Sequence, residues 1–195
     1  MLTGTKLKEL LDSQSDFDGL FKEAHAKFFD VPAAFTWQLF KAQAWVESSL
    51  RPGAQSPLGA MGLMQIMPAT WQEIAAQIGV SDPWDPRQNV HAGVFYMRQL
   101  WDCWDRFKDN EDQRIKFALA SYNAGRGNIA RMLSRNPPRF KAQQDRIRPD
   151  WETASAHLAS LTGPTNAAQT RRYVRRILKI YALLVADLPE VASPV

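Results

Sequence analysis

The chain has 195 residues and a mass of 22.1 kDa, enough for one domain, or one domain with a short extension, that buries its own core. Its hydrophobic share of 45%, with 7 Trp, 10 Phe and 4 Tyr, excludes general disorder, and its single cysteine, Cys103, excludes an intramolecular disulfide and a Cys-rich zinc site. A formal net charge of +4 and a pI near 9.3 favour anionic surroundings (nucleic acid, a membrane or a bacterial envelope) without choosing among them.

The opening stretch "MLTGTKLKELLDSQSDFDGLF" holds no apolar run long enough for a signal-peptide core or a membrane anchor. Synthesis in the cytoplasm without export by the ordinary signal-peptide route is the expectation. Leu7, Leu10 and Leu11 predict a short first helix. Phe17, Leu20, Phe21, Ala24 and Phe28 predict a second, with Ser15 as a candidate N-cap and Asp16 and Asp18 in its first turn. A third helix is predicted from about Pro32, well placed at a first helical position, to Ser49. Its stripe is Phe35, Leu39, Ala42 and Val46, and Pro52-Gly53 ends it. Glu47 lies one residue off that stripe, at the border of the buried face.

The loop "RPGAQSPLGAMGLMQIMP" (51–68) is too apolar for an ordinary surface loop, so Leu58, Met61, Leu63, Met64, Ile66 and Met67 are expected to be buried or to line something. Trp71, Ile74, Ala75 and Ile78 follow on a helix stopped by Gly79, and "SDPWDP" (81–86) is a turn-rich connector. A long helix then carries Val90, Val94, Met97, Leu100, Trp101, Trp104 and Phe107; Cys103 among these aromatics is expected to be a buried thiol rather than a nucleophile. Ile115, Ala118, Leu119 and Tyr122 predict another helix, closed by "NAGRG" (123–127), and "SRNPPRF" (134–140) is a break. Trp151 to Leu161 reads as a helix, and the last element runs from about Asn166 to Ala186. No strand-like alternation of any length occurs. The predicted class is all-α.

Most chemistries are removed by what is missing. His25, His91 and His157 lie far apart and outside any metal-ligand spacing, and there is no GxSxG, P-loop or strand-borne GxGxxG, so neither metal nor cofactor is expected. The basic run "TRRYVRRILKIY" (170–181) is read as a core helix with an arginine-rich solvent face, with no nucleic-acid partner and no stable membrane insertion; "IYALLVA" (180–186) is too short to span a bilayer. What remains is Glu47, which leaves its helix beside Trp45 and Val46 and faces a methionine-rich loop. Cleaving a glycosidic bond needs a carboxylic acid that stays protonated near neutral pH, and apolar surroundings favour the neutral form. A second carboxylate, which most glycosidases require, is not close in sequence: the next acids are Glu73, Asp82 and Asp85.

Four stretches, "WVESSLRPGAQSPLGAMGLMQIMPATW", "DPRQNVHAGVFYM", "LASYNAGRGNI" and "TRRYVRRIL", occur in an order that resembles the soluble-lytic-transglycosylase domain, a relative of goose-type lysozyme. Together they span about residues 33–182. The resemblance implies a lysozyme-like helical domain (31–188) with a substrate cleft, an added N-terminal helical cap (1–30) and a short tail (189–195). It also implies cleavage of the β-1,4 bond between N-acetylmuramic acid and N-acetylglucosamine with formation of the 1,6-anhydro sugar, and no second carboxylate. By matching position, Glu47 is the catalytic acid/base. Ser56, Gln65 and Met67 match glycan-cleft residues, and Tyr122 matches the tyrosine whose hydroxyl reaches the catalytic carboxyl. Asn89 and Asn123 match motif positions, with helix capping or backbone bonding as the alternative for each. Met67 has the core as its alternative. Gln169 stands where the family commonly has an acid, so it is a glycan-binding candidate or a helix cap. Peptidoglycan is the implied partner. A phage endolysin brought to the periplasm or wall by a holin-type partner is the expected setting, and a hydrolytic muramidase or a non-catalytic glycan-binding or phage structural protein are the rivals.

Overall fold

A computed structural model describes residues 3–29, 35–134 and 150–186. All regular structure among them is helical, apart from isolated bridges joining Gln55 to Met61 and Met61 to Ile66. The all-α expectation holds. The chain separates into two compact units: residues up to Phe95 together with those from Arg176 onward, and Tyr96–Arg175.

In the first unit, α1 (Gly4–Ser13) is capped by Thr3, whose side chain accepts from the Lys6 N–H at 3.3 Å. Helix α2 (Asp18–Phe28) starts without a side-chain cap; Ser15 contributes only its backbone carbonyl, which accepts from the Asp18 N–H at 2.9 Å. The expected hydroxyl cap at Ser15 is therefore wrong, because the turn places it three residues ahead of the helix. Helix α3 (Gln38–Ser48) is followed by the loop and α4 (Pro68–Ile78), with Gly79 left-handed (φ 72) just past its end, as predicted, and Pro68, expected at the end of the loop, in its first turn. The predicted start of α3 at about Pro32 is too early: Phe35 and Thr36 are not helical and the helix begins at Gln38. Pro32 itself, the 189–195 tail, Asp30 and most of the 134–140 break lie outside the described residues.

The core of this unit is aromatic. Phe29 packs against Phe35 and Phe40 at 5.3 and 5.2 Å between ring centroids, and His25 stacks on Phe29 at 6.1 Å. Lys41 is only 2% exposed, and its ammonium meets Asp18 at 2.6 Å, tying α2 to α3. A buried amine of this kind survives in a core only because a carboxylate accompanies it.

Helix α5 (Pro86–Cys103) runs from the first unit into the second, and α10 (Pro164–Val185) runs back. Asp85 caps α5 by accepting from the Gln88 N–H at 2.8 Å. The long helix stops at Cys103, earlier than predicted, and Phe107 sits in a separate 3-10 turn, Asp105–Phe107. Helix α6 (Glu111–Ala124) follows, capped by Asn110. Then comes α7 (Arg126–Ser134), which the glycine-rich "NAGRG" concealed. The predicted helix at 151–161 is three short pieces: α8 (Trp151–Ser155), a 3-10 turn Ala156–Leu158, and α9 (Ala159–Thr162).

Phe107 stacks on Phe117 at 4.5 Å and Trp151 meets Phe117 edge-on at 5.7 Å, making the core of the second unit. Trp104 donates its indole N–H to the buried Ser121 Oγ at 3.0 Å. Cys103 is exposed rather than buried, with an Arg126 Nη1 3.4 Å from its sulfur. Trp101 and Trp104 are buried, whereas Asp102 and Cys103, the two residues between them at the helix end, are exposed.

Candidate functional site

Glu47 is the penultimate residue of α3 and is half-buried. Two features fix where it sits. The helix is broken by consecutive non-glycine residues in the left-handed region, Ser49 (φ 56) and Leu50 (φ 57). Side chains pay a steric penalty there, so the surroundings must impose it. Ser48, 3% exposed, does part of this: its hydroxyl lies 2.8 Å from the Leu63 carbonyl and 3.1 Å from that of Ala44, and it accepts from the Arg51 N–H at 3.2 Å. The single hydroxyl proton serves one carbonyl at a time. Arg51 closes the turn by donating Nε–H to the Ser48 carbonyl at 3.0 Å.

Ser48 thus ties the residue beside Glu47 to the glycine-rich loop. Inside that loop Met61 and Ile66 exchange backbone hydrogen bonds, both 3.0 Å, around a tight turn. Gln65 is itself left-handed (φ 47), and its amide donates to the Ala54 and Gly62 carbonyls at 2.8 and 2.9 Å. Both amide protons are used, so what Gln65 offers a ligand is its carbonyl oxygen, an acceptor for a sugar hydroxyl or an acetamido N–H. Ser56 turns the loop, accepting from the Ala60 N–H at 3.0 Å through its hydroxyl.

Asn89 of α5 holds the loop from beneath. It is 1% exposed, accepts from the Met64 N–H at 2.8 Å, and donates to the Met61 and Pro83 carbonyls at 3.0 and 2.9 Å. Of its two readings, bonding to backbone is the one observed. The fit leaves no room for side chains opposite it: a Cβ on Gly62 (φ 75) would lie 2.3 Å from Asn89 Nδ2, and one on Gly93 would lie 2.6 Å from Met64.

The apolar residues of the loop divide. Leu63, Met64 and Ile66 are buried, whereas Met67 is 43% and Leu58 82% exposed. Met67 is therefore not core. It precedes Pro68 at the start of α4 and presents an apolar surface in the same unit as Glu47.

The other expected site residues belong to the second unit. Tyr122, half-buried near the end of α6, has its ring 5.3 Å from that of Tyr96. Next to it, Asn123 Oδ1 accepts from Thr170 Oγ1 at 2.9 Å, a contact joining α6 to α10. Gln169 is the exposed neighbour of Thr170, well inside a helix that begins at Pro164, so it does not cap that helix. The structure thus groups Glu47, Ser56, Gln65 and Met67 in one unit and Tyr122, Asn123 and Gln169 in the other. Sequence reasoning missed Ser48, although its place in "ESS" directly beside the carboxylate was a usable signal. It also missed Thr170.

On α5, away from the loop, His91 (7% exposed) meets the edge of Phe28 at 5.8 Å, and burial pushes its imidazole below the usual value of 6.5. Its Nε2 is 3.5 Å from Glu23, too far for a firm hydrogen bond. Arg87 bonds to Glu23 and holds that carboxyl below its ordinary range. His25 is likewise lowered, first by burial. No group of His, Cys, Asp and Glu suited to a metal ion occurs among the described residues.

A helical domain with one carboxylate at a forced helix end, above a loop held by buried polar side chains, defines a class that the comparisons then name. The Transglycosylase SLT domain model matches residues 32–144, and the chain belongs to that family. It is 34% identical over 171 residues, 84% of its length, to the Membrane-bound lytic murein transglycosylase F of Vibrio cholerae. It is also 34% identical over 194 residues, 92% of its length, to the protein of the same name from Alcanivorax borkumensis. The chain spans only 31% and 37% of those two proteins. The lytic transglycosylase Slt of Pseudomonas aeruginosa shares the fold, with a TM-score of 0.65 and 20% identity over 90% of this chain and 25% of that one.

Proposed function

We propose that this protein is a peptidoglycan lytic transglycosylase acting on the MurNAc–GlcNAc β-1,4 bond, with Glu47 as its acid and base. The observation that carries this reading is the placement of Glu47: half-buried, at a helix end fixed by Ser48 and Arg51, with Glu73 the next acid after it in the chain. In the reaction the Glu47 carboxyl gives its proton to the glycosidic oxygen as the C1–O bond breaks. The muramic acid's C6 hydroxyl then attacks C1, and the Glu47 carboxylate takes the hydroxyl proton. One bond is broken, one is formed, no water is added, and the carboxyl ends as it began. Gln65 Oε1 and the exposed face of Met67 suit the polar edge and apolar face of a sugar ring. The family resemblance is what supports Ser56, Tyr122, Asn123 and Gln169 as further glycan contacts.

Mass spectrometry of digested peptidoglycan tests the assignment. Products that lack one water and resist borohydride reduction are expected; reducible, hydrated ends would make the protein a muramidase instead, and intact sacculi would remove the enzymatic reading. The domain boundaries at 30/31 and 188/189, and a lysis purpose as a phage endolysin with holin-type delivery, are finer parts of the proposal that rest on the sequence. Expression with and without a membrane-permeabilising partner tests the latter, with rapid lysis expected only in the presence of the partner.

A further inference from the structure

The first unit contains a cavity of about 330 Å³ that none of the catalytic assignments uses. One wall is the segment between α1 and α2, with Gln14, Asp16 and Phe17; the other is the turn that follows Glu47, with Ser49, Leu50 and Arg51. The size suits a small ligand or the end of a chain. Its lining is mixed: Phe17 and Leu50 are apolar, and Arg51 and Asp16 supply one cation and one anion.

Arg51 is the informative group. Its Nε–H is committed to the Ser48 carbonyl at 3.0 Å and its backbone N–H to Ser48 Oγ at 3.2 Å. The guanidinium plane is thereby oriented, and its two terminal nitrogens, which have no ion pair among the described residues, form the open end of the fork. A planar pair of N–H donors matches a carboxylate. The two left-handed residues, Ser49 and Leu50, form part of the same wall.

We propose that this cavity is a subsite for the peptide stem of peptidoglycan: Arg51 takes a stem carboxylate and Asp16 the ammonium of a diamino residue. The inference rests on the transglycosylase reading for its choice of ligand. Reach supports it. The Arg51 fork is bonded to the carbonyl of the residue adjoining Glu47, and a three-residue stem attached to the muramyl lactyl group extends roughly 10 Å. The N-terminal extension then has a task, because it supplies half of the subsite, and the enzyme distinguishes peptide-bearing from bare glycan.

The test is calorimetric titration of the full chain carrying Glu47→Gln with three probes: a synthetic stem tripeptide ending in a diamino acid, its C-terminal amide, and the peptide-free GlcNAc–MurNAc disaccharide. The free tripeptide is expected to bind, the amide at least ~10-fold more weakly, and Arg51→Gln should weaken the tripeptide by at least ~10-fold and the disaccharide by a clearly smaller factor. Asp16→Asn, on the opposite wall and away from Ser48, should weaken the tripeptide by a smaller factor. Tripeptide affinity that ignores amidation, or an Arg51→Gln loss equal for tripeptide and disaccharide, overturns the proposal. Equal loss would mean that Arg51 only shapes the helix end. Because the peptide is read without turnover, failure of the transglycosylase assignment shows separately, in the products of the wild-type enzyme.

Discussion

Two helices carry the residues expected to do the chemistry, and they end in opposite ways. Helix α3 ends just past Glu47 at two non-glycine residues with φ 56 and 57, held by the Ser48 hydroxyl, the Arg51 guanidinium and a loop fixed by Asn89. Helix α6 ends just past Tyr122 and Asn123 at Gly125 (φ 83), where no other atom lies within 4 Å of a would-be Cβ. The first end is imposed by tertiary contacts and the second by a residue with no Cβ. A carboxylate that must hold one position is placed on the crowded end.

The largest effect should fall on the chemistry of the crowded region. Glu47→Gln keeps the volume but cannot exchange a proton, so turbidity clearance should fall by ~10² or more with little change in melting temperature. Wild-type clearance by this variant would end the assignment.

The contrast between the loop that supports the α3 end and the open end of α6 is measured by a pair of substitutions. Gly62→Ala and Gly125→Ala both put a Cβ at positive φ, but only the first drives it to 2.3 Å from Asn89 Nδ2 and 2.8 Å from the Pro83 carbonyl. Chemical denaturation should show a loss of about 3 kcal/mol or more for Gly62→Ala, since the buried Asn89 network must also break. Gly125→Ala should lose about 1–2 kcal/mol from backbone conformation alone. Equal losses would mean that the loop yields as easily as the helix end.

Tyr122→Phe sharpens the comparison from the side of the second unit. We expect turnover to fall by a factor on the order of 10, through loss of one polar contact made in the reaction, with the circular dichroism spectrum unchanged. Unaltered turnover would leave Tyr122 as packing for Tyr96.

The smallest effect concerns acid. His25 and His91 both have imidazoles lowered from 6.5 by burial, while Glu23, Arg87, Lys27 and Asp85 are the charged groups around His91. The unfolded chain therefore binds protons at a higher pH than the folded one, and stability falls as pH drops below about 6.5. Glu23, held low by Arg87, adds a loss only at still lower pH, as its carboxylate becomes protonated. The melting temperature should be a few degrees lower at pH 5.5 than at pH 7.5, and His91→Gln should flatten that difference. A curve with the opposite slope would contradict the burial of both rings.

By itself the sequence determined what local patterning can encode. The 3.6-residue recurrence of apolar positions gave an all-α chain, Gly79 marked the end of α4, and Glu47 stood at the close of its helix in "ESS", within motifs that already resembled one family. Only the tertiary structure decided how that helix ends and what holds the loop beneath it. The left-handed Ser49 and Leu50, the Ser48–Leu63 bond and the bonds of Asn89 to Met64 and Met61 join residues 15 to 28 positions apart or impose a conformation that their own side chains disfavour. The same applies to Leu58 and Cys103, whose apolar neighbourhoods in sequence suggested burial although each lies exposed. Periodicity reports which face of an element is apolar; which atoms meet across the chain depends on hydrogen-bond partners and packing space that no local window contains.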